Sequence, residues 1–130
     1  MIVVDASLVL DLVVPGPAQK GVTKAIGAFG AAMAAPELID LEALQVLRRL
    51  TLRGRIKAAV AEASLHELGV LPLQRYSHTV LANRVWELRH NLTAYDAAYF
   101  VLAEFLGAPL FTRDRKFTEV PGHTVAINVI

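Results

Sequence analysis

The chain of 130 residues has the length of one ordinary domain and a formal net charge of only +1. Hydrophobic residues make up 55% of it and the mean hydropathy is +0.46, which favours elements that are apolar on more than one face, such as a sheet between helices. The absence of cysteine excludes disulfides and thiolate metal sites. Neither a membrane-spanning run nor the basic start of a secretory signal is present, so we expect one cytoplasmic domain over residues 1–130.

The charge is unevenly distributed, although the total does not indicate a nucleic-acid-binding protein. Five basic residues fall within ten positions, with no acid among them: Arg48, Arg49, Arg53, Arg55 and Lys57. Such a stripe can follow the phosphates of a nucleic acid, and it can equally be the solvated face of a helix. Composition leaves both interpretations open.

Apolar spacing and turn residues predict the elements in chain order. Ile2 to Val4 is an apolar, β-branched run that predicts the first strand. The pattern that follows predicts helices over 6–14 and 18–29, a strand over 31–35, and helices over 37–52 and 57–68.

The second half continues the alternation. It predicts a strand over 70–73, helices over 79–89 and 94–106, a strand over 109–112, a turn over 114–117 and a strand over 124–129. Strands that alternate with helices form βαβ units with right-handed crossovers. We therefore predict an α/β fold with a central parallel sheet.

Four carboxylates stand where burial disfavours them. Asp5 ends the first strand and Asp114 follows the strand that ends near Thr112, so both belong at the carboxyl edge of the sheet, where ligands bind. Glu42 has the helical spacing of the core-facing stripe, and Asp96 belongs to a helix with little other charge.

Close carboxylates repel one another unless a positive charge joins them. Oxygen ligands without Cys or paired His favour Mg²⁺ or Mn²⁺ over Zn²⁺. Such ions activate water for attack on a phosphodiester, so hydrolytic phosphodiester cleavage is the reaction that the acids indicate.

Each acid also has a purely structural interpretation. Thr93 to Asp96 has the pattern of a capping box at a helix start. Asp5 and Asp114 are suited to strand ends or helix caps, and Glu42 to an ion pair with Arg49 or another basic group.

Four segments of the chain form a recognisable set: Val4-Asp5-Ala6-Ser7, Ile39-Asp40-Leu41-Glu42-Ala43-Leu44, Leu92-Thr93-Ala94-Tyr95-Asp96-Ala97-Ala98-Tyr99 and Phe111-Thr112-Arg113-Asp114-Arg115-Lys116-Phe117. Together they resemble the PIN-domain ribonucleases of the VapC toxin type. Their order and spacing agree with the family over nearly the whole chain, and the region from 52 to 91 carries less of the resemblance.

The resemblance implies a three-layer α/β/α fold and a metal-dependent endoribonuclease that acts on structured or single-stranded RNA. It implies Mg²⁺ or Mn²⁺ held by four catalytic residues, Asp5, Glu42, Asp96 and Asp114. Ser7 and Thr112 are then supporting hydroxyls, whose alternative roles are helix and turn caps. Arg113, Arg115 and Lys116 are candidate RNA contacts.

The resemblance also implies a homodimer and a cognate VapB-like antitoxin. Because the sequence contains no membrane-spanning run, we expect no membrane partner. The non-enzymatic alternative is a degenerate PIN-like module that binds RNA or protein without cutting it. A haloacid-dehalogenase phosphatase and a phospho-accepting receiver domain are disfavoured. The first needs a second Asp where this chain has Ser7, and the second normally needs paired acids after the first strand.

Overall fold

A computed structural model describes residues 1–130, and it contains one sheet of five parallel strands. The strands are β1 (Ile2–Val4), β2 (Met33–Pro36), β3 (Leu73–Tyr76), β4 (Leu110–Thr112) and β5 (Ile127–Val129). The helices are α1 (Ala6–Val13), α2 (Ala18–Phe29), α3 (Ile39–Leu52), α4 (Ala58–Val70), α5 (Ala82–Glu87) and α6 (Ala94–Leu106). Short 3-10 turns lie at His78–Leu81 and Arg115–Glu119.

The helices form two groups around the sheet. Helix α1 packs against α2, α3 and α4, whereas α6 packs against α5 and against strands β1 and β2. Because parallel strands are joined by right-handed crossovers, helices α1 to α4 cover one face of the sheet and α5 and α6 cover the other. The predicted three-layer α/β/α fold is confirmed. No helix combines the length and the apolarity that crossing a membrane requires.

The core explains the high hydropathy. All three residues of β1 are completely buried, as are Leu102 and Leu110. Every residue from 97 to 103 in α6 is buried, so this helix is apolar around most of its circumference. The central strand β1 and the helix α6 that packs on the sheet have little surface in contact with solvent. Their sequences are therefore apolar on more than one face and do not alternate between polar and apolar residues.

The strand order β3-β2-β1-β4-β5 places a topological switch point between β1 and β4. The chain moves outward from β1 through β2 to β3 and then returns to the other side of β1. Val4 is level with Phe111 across this pair of strands. Ligand sites in open α/β sheets form at the carboxyl ends of the strands at such a point.

The third strand differs from its prediction. We expected it over 70–73, but α4 continues through Gly69 and the strand begins at Leu73. Pro72 sets this boundary, because a residue before proline is pushed out of the helical region, and Leu71 is indeed extended. At the sheet edge β3 tolerates the polar pair Gln74 and Arg75, which apolar patterning does not identify.

Two further elements are shorter than expected. The region predicted as a helix over 79–89 divides into a 3-10 turn and the short helix α5. The last strand covers only Ile127–Val129 of the predicted range 124–129. Chain ends and connections depend on packing partners that local periodicity does not record.

Candidate active site

Asp5 is held by donors on three sides. It is the N-cap of α1, where its Oδ1 accepts hydrogen bonds from the Leu8 N–H (3.2 Å) and the Ser7 hydroxyl (2.5 Å). The Thr112 hydroxyl donates to Oδ2 at 2.5 Å. Burial raises the pKa of Asp5, although these hydrogen bonds act in the opposite direction. The geometry therefore presents a buried carboxyl group in one rigid orientation.

Asp114 follows β4, beside the end of β1. Its backbone N–H donates to the Thr112 hydroxyl oxygen at 2.9 Å. Its Oδ1 accepts the Lys116 N–H at 2.9 Å and so caps the 3-10 turn that follows. This backbone hydrogen bond is the main reason that the pKa of Asp114 is lowered. Thr112 thus contacts both strand-end acids.

Glu42 lies in the first turn of α3 and meets α6 across the fold. The Tyr99 hydroxyl donates to Oε1 of Glu42 at 2.5 Å. Burial raises the pKa of both groups, and the carboxylates of Asp5 and Asp96 add repulsion to each. No basic side chain forms an ion pair with Glu42, so the pairing with Arg49 is not formed.

Asp96 combines the structural and the functional interpretations. Thr93 caps α6, because its side-chain oxygen accepts the Asp96 N–H at 3.2 Å. The carboxylate is also 2.7 Å from the ammonium of Lys116, which lies 2.9 Å from Asp114. A helix cap and a place in an acidic cluster are therefore compatible. Oδ2 of Asp96 accepts the Thr93 hydroxyl at 3.1 Å and also faces Lys116.

One open pocket contains all four predicted acids. Its walls are formed by side chains from the carboxyl ends of β1 and β4 and from α1, α3 and α6: Asp5, Ser7, Glu42, Asp96, Tyr99, Arg113, Asp114 and Arg115. No three carboxylate or imidazole groups of the chain are arranged to hold one ion together, so a shared ion stays a prediction.

The side chains present fit a hard divalent cation. Mg²⁺ commonly takes only one or two protein carboxylates and keeps several waters, so it does not need a cage of three. The donor set consists of oxygen atoms alone, and the pocket is open to water.

The family model of the PIN domain matches residues 2–123. The chain is 37% identical to Ribonuclease VapC1 of Mycobacterium tuberculosis over 98% of this chain and 96% of that protein. The identity to Ribonuclease VapC9 of the same species is also 37%, over 100% and 98%. The chain belongs to the PIN-domain family of VapC ribonucleases.

A solved structure agrees with this assignment. The crystal structure of PAE2754 from Pyrobaculum aerophilum superposes on this PIN domain with a TM-score of 0.71 at 28% sequence identity. The match covers 98% of this chain and 83% of that one. The similarity therefore includes both layers of helices and the sheet.

The three candidate RNA contacts of this PIN domain have different surroundings. Arg113 forms an ion pair with Asp11 of α1. Lys116 contacts Asp96 and Asp114. Arg115 is exposed at the pocket, and its guanidinium, unlike the charged groups of Arg113 and Lys116, forms no ion pair with an acid of the protein. Their roles toward RNA stay predictions.

Tyr99 is the site residue that the sequence analysis missed. It appears there only as the last residue of the segment from Leu92 to Tyr99. A signal was available, because Tyr99 lies three residues after Asp96 on the same helix face, and a buried tyrosine hydroxyl normally has a hydrogen-bond partner. The sequence does not show that Glu42, 57 positions away, accepts this hydrogen bond.

Proposed function

We propose that this chain is a metal-dependent endoribonuclease, the toxin of a type II toxin–antitoxin pair, and that it hydrolyses phosphodiester bonds in RNA. The observation that carries the proposal is the convergence of Asp5, Glu42, Asp96 and Asp114 on one open pocket at the switch point. The relatives VapC1 and VapC9 carry the name ribonuclease, which supports RNA as the substrate.

Mg²⁺ or Mn²⁺ is the proposed cofactor, and it would be held by carboxylates from the set Asp5, Glu42, Asp96 and Asp114, with waters as its other ligands. When bound, the cation supplies a Lewis acid that acidifies water and offsets the negative charge developing on the phosphate. The four carboxylates that line the pocket match this role, because hard cations prefer carboxylate and water ligands.

The protein contributes orientation through its hydroxyl groups. Ser7 and Thr112 each donate to one oxygen of Asp5 and prevent rotation of the carboxyl group. Tyr99 does the same for one oxygen of Glu42, and the other oxygen has no partner within the protein. Carboxylates fixed in this way do not need to reorganise during the reaction.

Glu42 is the proposed acceptor of the proton from the attacking water. One of its oxygens accepts the Tyr99 hydroxyl, and the other has no partner within the protein and can take up a proton. Asp5 is less suited to this role because both of its oxygens already accept hydrogen bonds. Its role is to hold the cation.

The substrate contacts follow from charge. Arg115 stands exposed at the edge of the acidic pocket, where its guanidinium can bind a phosphate of the RNA backbone. Arg113 and Lys116 lie nearby but already neutralise acids of the protein. We therefore assign to Arg115 the largest share of phosphate binding among the three.

Two partners complete the proposal. A VapB-like antitoxin is expected to place an Arg or Lys in the pocket, because a cation from a partner protein would pair with the same carboxylates. A homodimer stays a prediction, and light scattering of the purified chain tests it directly.

The test is cleavage of total cellular RNA with Mg²⁺ or Mn²⁺. The intact chain is compared with Asp5→Asn, Asp96→Asn, an EDTA control and Glu67→Gln, which removes an exposed acid of α4 outside the pocket. We expect discrete fragments that disappear with both Asn variants and with EDTA but persist with Glu67→Gln. Equal cleavage throughout indicates a contaminating nuclease. No cleavage together with retained RNA binding indicates the non-catalytic PIN-like module.

A further inference from the structure

Lys116 makes a three-point contact with two of the proposed metal ligands. Its ammonium nitrogen lies 2.7 Å from Oδ2 of Asp96 and 2.9 Å from Oδ2 of Asp114. Its backbone N–H donates to Oδ1 of Asp114 at 2.9 Å. Both oxygens of Asp114 and one of Asp96 are therefore engaged by the same residue.

We propose that Lys116 is a tethered counter-ion: its ammonium neutralises Asp96 and Asp114 in the metal-free protein and must leave them when a divalent cation binds. The proposal rests on the metal-dependent function proposed above. It gives Lys116 a role in setting the metal affinity, which differs from the RNA contact expected from its basic character.

Competition between the ammonium and the metal follows from the atoms involved. A lysine ammonium is a compact point charge that donates hydrogen bonds and accepts none. Its contacts lie on the Oδ2 atoms of Asp96 and Asp114, so a cation held by these acids would compete with the ammonium for the same carboxylates. One positive charge beside these oxygens repels a divalent ion as well as blocking its ligands.

Two features make the ammonium easy to displace and easy to restore. The Lys116 side chain is 43% exposed, so the released ammonium returns to water with little penalty. The backbone hydrogen bond to Asp114 does not involve the ammonium, so the start of the side chain stays in place. The charge can then move between the two acids and solvent without refolding of the turn.

The four carboxylates of the pocket need a positive charge beside them when no metal is bound. Asp96 and Asp114 line the pocket together with Asp5 and Glu42, and Arg113 is already paired with Asp11 outside this cluster. Lys116 is the residue whose ammonium joins two of the four acids. It relieves repulsion between carboxylates when no metal is present.

The experiment is calorimetric titration of the metal-free, full-length chain with MnCl₂, for the intact protein, Lys116→Met and Arg115→Met. Lys116→Met keeps most of the side-chain volume and removes the ammonium. Arg115→Met is the matched control, because it removes one positive charge at the neighbouring position without breaking an ion pair. Lys116→Gln repeats the charge removal with a polar side chain if the Met variant folds poorly.

We expect Lys116→Met to bind Mn²⁺ with a Kd about three- to tenfold lower, the change that corresponds to one or two partly exposed ion pairs. A merely structural lysine would not give this result. Thermal unfolding provides the second readout: Lys116→Met should be less stable than the intact protein in EDTA, and the difference should shrink or reverse in saturating Mn²⁺.

The outcomes separate this inference from the proposed function. An unchanged or higher Kd in Lys116→Met, with Mn²⁺ binding intact, overturns the counter-ion and leaves the metal enzyme standing. An equal gain in Arg115→Met also overturns it, because the effect is then a general one of pocket charge. If no variant binds Mn²⁺ and RNA is not cleaved, both proposals fail. Binding by Lys116→Met alone supports the inference strongly.

Discussion

The hydroxyl of Thr112 donates to Oδ2 of Asp5 at 2.5 Å, although Thr112 and Asp5 are 107 positions apart in the chain. The Thr112 hydroxyl oxygen also accepts the backbone N–H of Asp114 at 2.9 Å. Thr112 is completely buried at the end of β4, beside β1. One small side chain therefore sets the relative position of two proposed metal ligands.

Replacement of this hydroxyl tests its positioning role. We expect Thr112→Val to lower the free energy of unfolding by about 1–3 kcal/mol, because it leaves a buried carboxyl oxygen and a backbone N–H without a partner. RNA cleavage should fall as well, because Asp5 and Asp114 are no longer held together. Urea unfolding and the cleavage rate measure the two effects.

Thr112→Ser is the matched control, since it keeps the hydroxyl and loses only a methyl group. It should retain most of the cleavage rate. Wild-type cleavage by Thr112→Val would contradict the role of the hydroxyl in positioning the acids.

Tyr99→Phe should lower kcat about 10- to 100-fold, the scale on which activity falls when a partner that orients a metal-site residue is lost, with little change in KM. The reason is that Glu42 loses the donor that orients it. Single-turnover cleavage of a defined RNA measures the rate. Tyr76→Phe, which removes a hydroxyl that donates a hydrogen bond to the sulfur of Met1 far from the pocket acids, is the control. Equal rates for both variants and the intact chain would remove Tyr99 from the site.

Glu42 makes the metal-free protein sensitive to pH. Burial raises the pKa of Glu42, so the folded protein holds this proton more tightly than the unfolded chain does. The stability that results is fully present below the ordinary carboxyl pKa and is lost as the pH rises through the raised folded value. Glu42→Gln should therefore gain stability relative to the intact protein as the pH rises from about 4 in EDTA.

Asp114 provides the opposite trend in the same experiment. Its pKa is lowered, so its contribution to stability is present above the ordinary carboxyl pKa and is lost as the pH falls through the lowered folded value. Asp114→Asn should therefore be less stable than the intact protein near neutral pH and approach it in acid. Melting temperatures across a pH series measure both, and parallel curves for the two variants would refute the assignment.

Arg115 should dominate phosphate binding among the three basic residues that follow Thr112. In an Asp5→Asn background, which prevents cleavage, Arg115→Ala should weaken RNA binding and reduce the slope of log K against log salt by about one. Arg113→Ala should do less, because Arg113 is paired with Asp11. Lys24→Ala on α2 is the control, and fluorescence anisotropy is the measurement. Equal losses for Arg113 and Arg115 would contradict this ranking.

The places of Asp5 and Asp114 in the fold were predictable, because they depend on the strands that directly precede these acids. Asp5 and Asp114 end apolar runs, and parallel strands place their carboxyl ends together, so the two were expected at one edge of the sheet. The boundary of β3 was not predictable in the same way. Its polar residues suit a sheet edge, and strand order alone decides which strand lies at the edge.

The sequence by itself determined the alternation of helices and strands, the helix caps and the four acids, because periodicity and capping depend on residues a few positions apart. Only the tertiary structure decided which side chains meet. Tyr99 reaches Glu42, Arg113 reaches Asp11, and Lys116 bridges Asp96 and Asp114. These contacts depend on strand order and on the packing of α6 and α3, and no local pattern specifies the partner of a charged or hydroxyl group that lies far away in the chain.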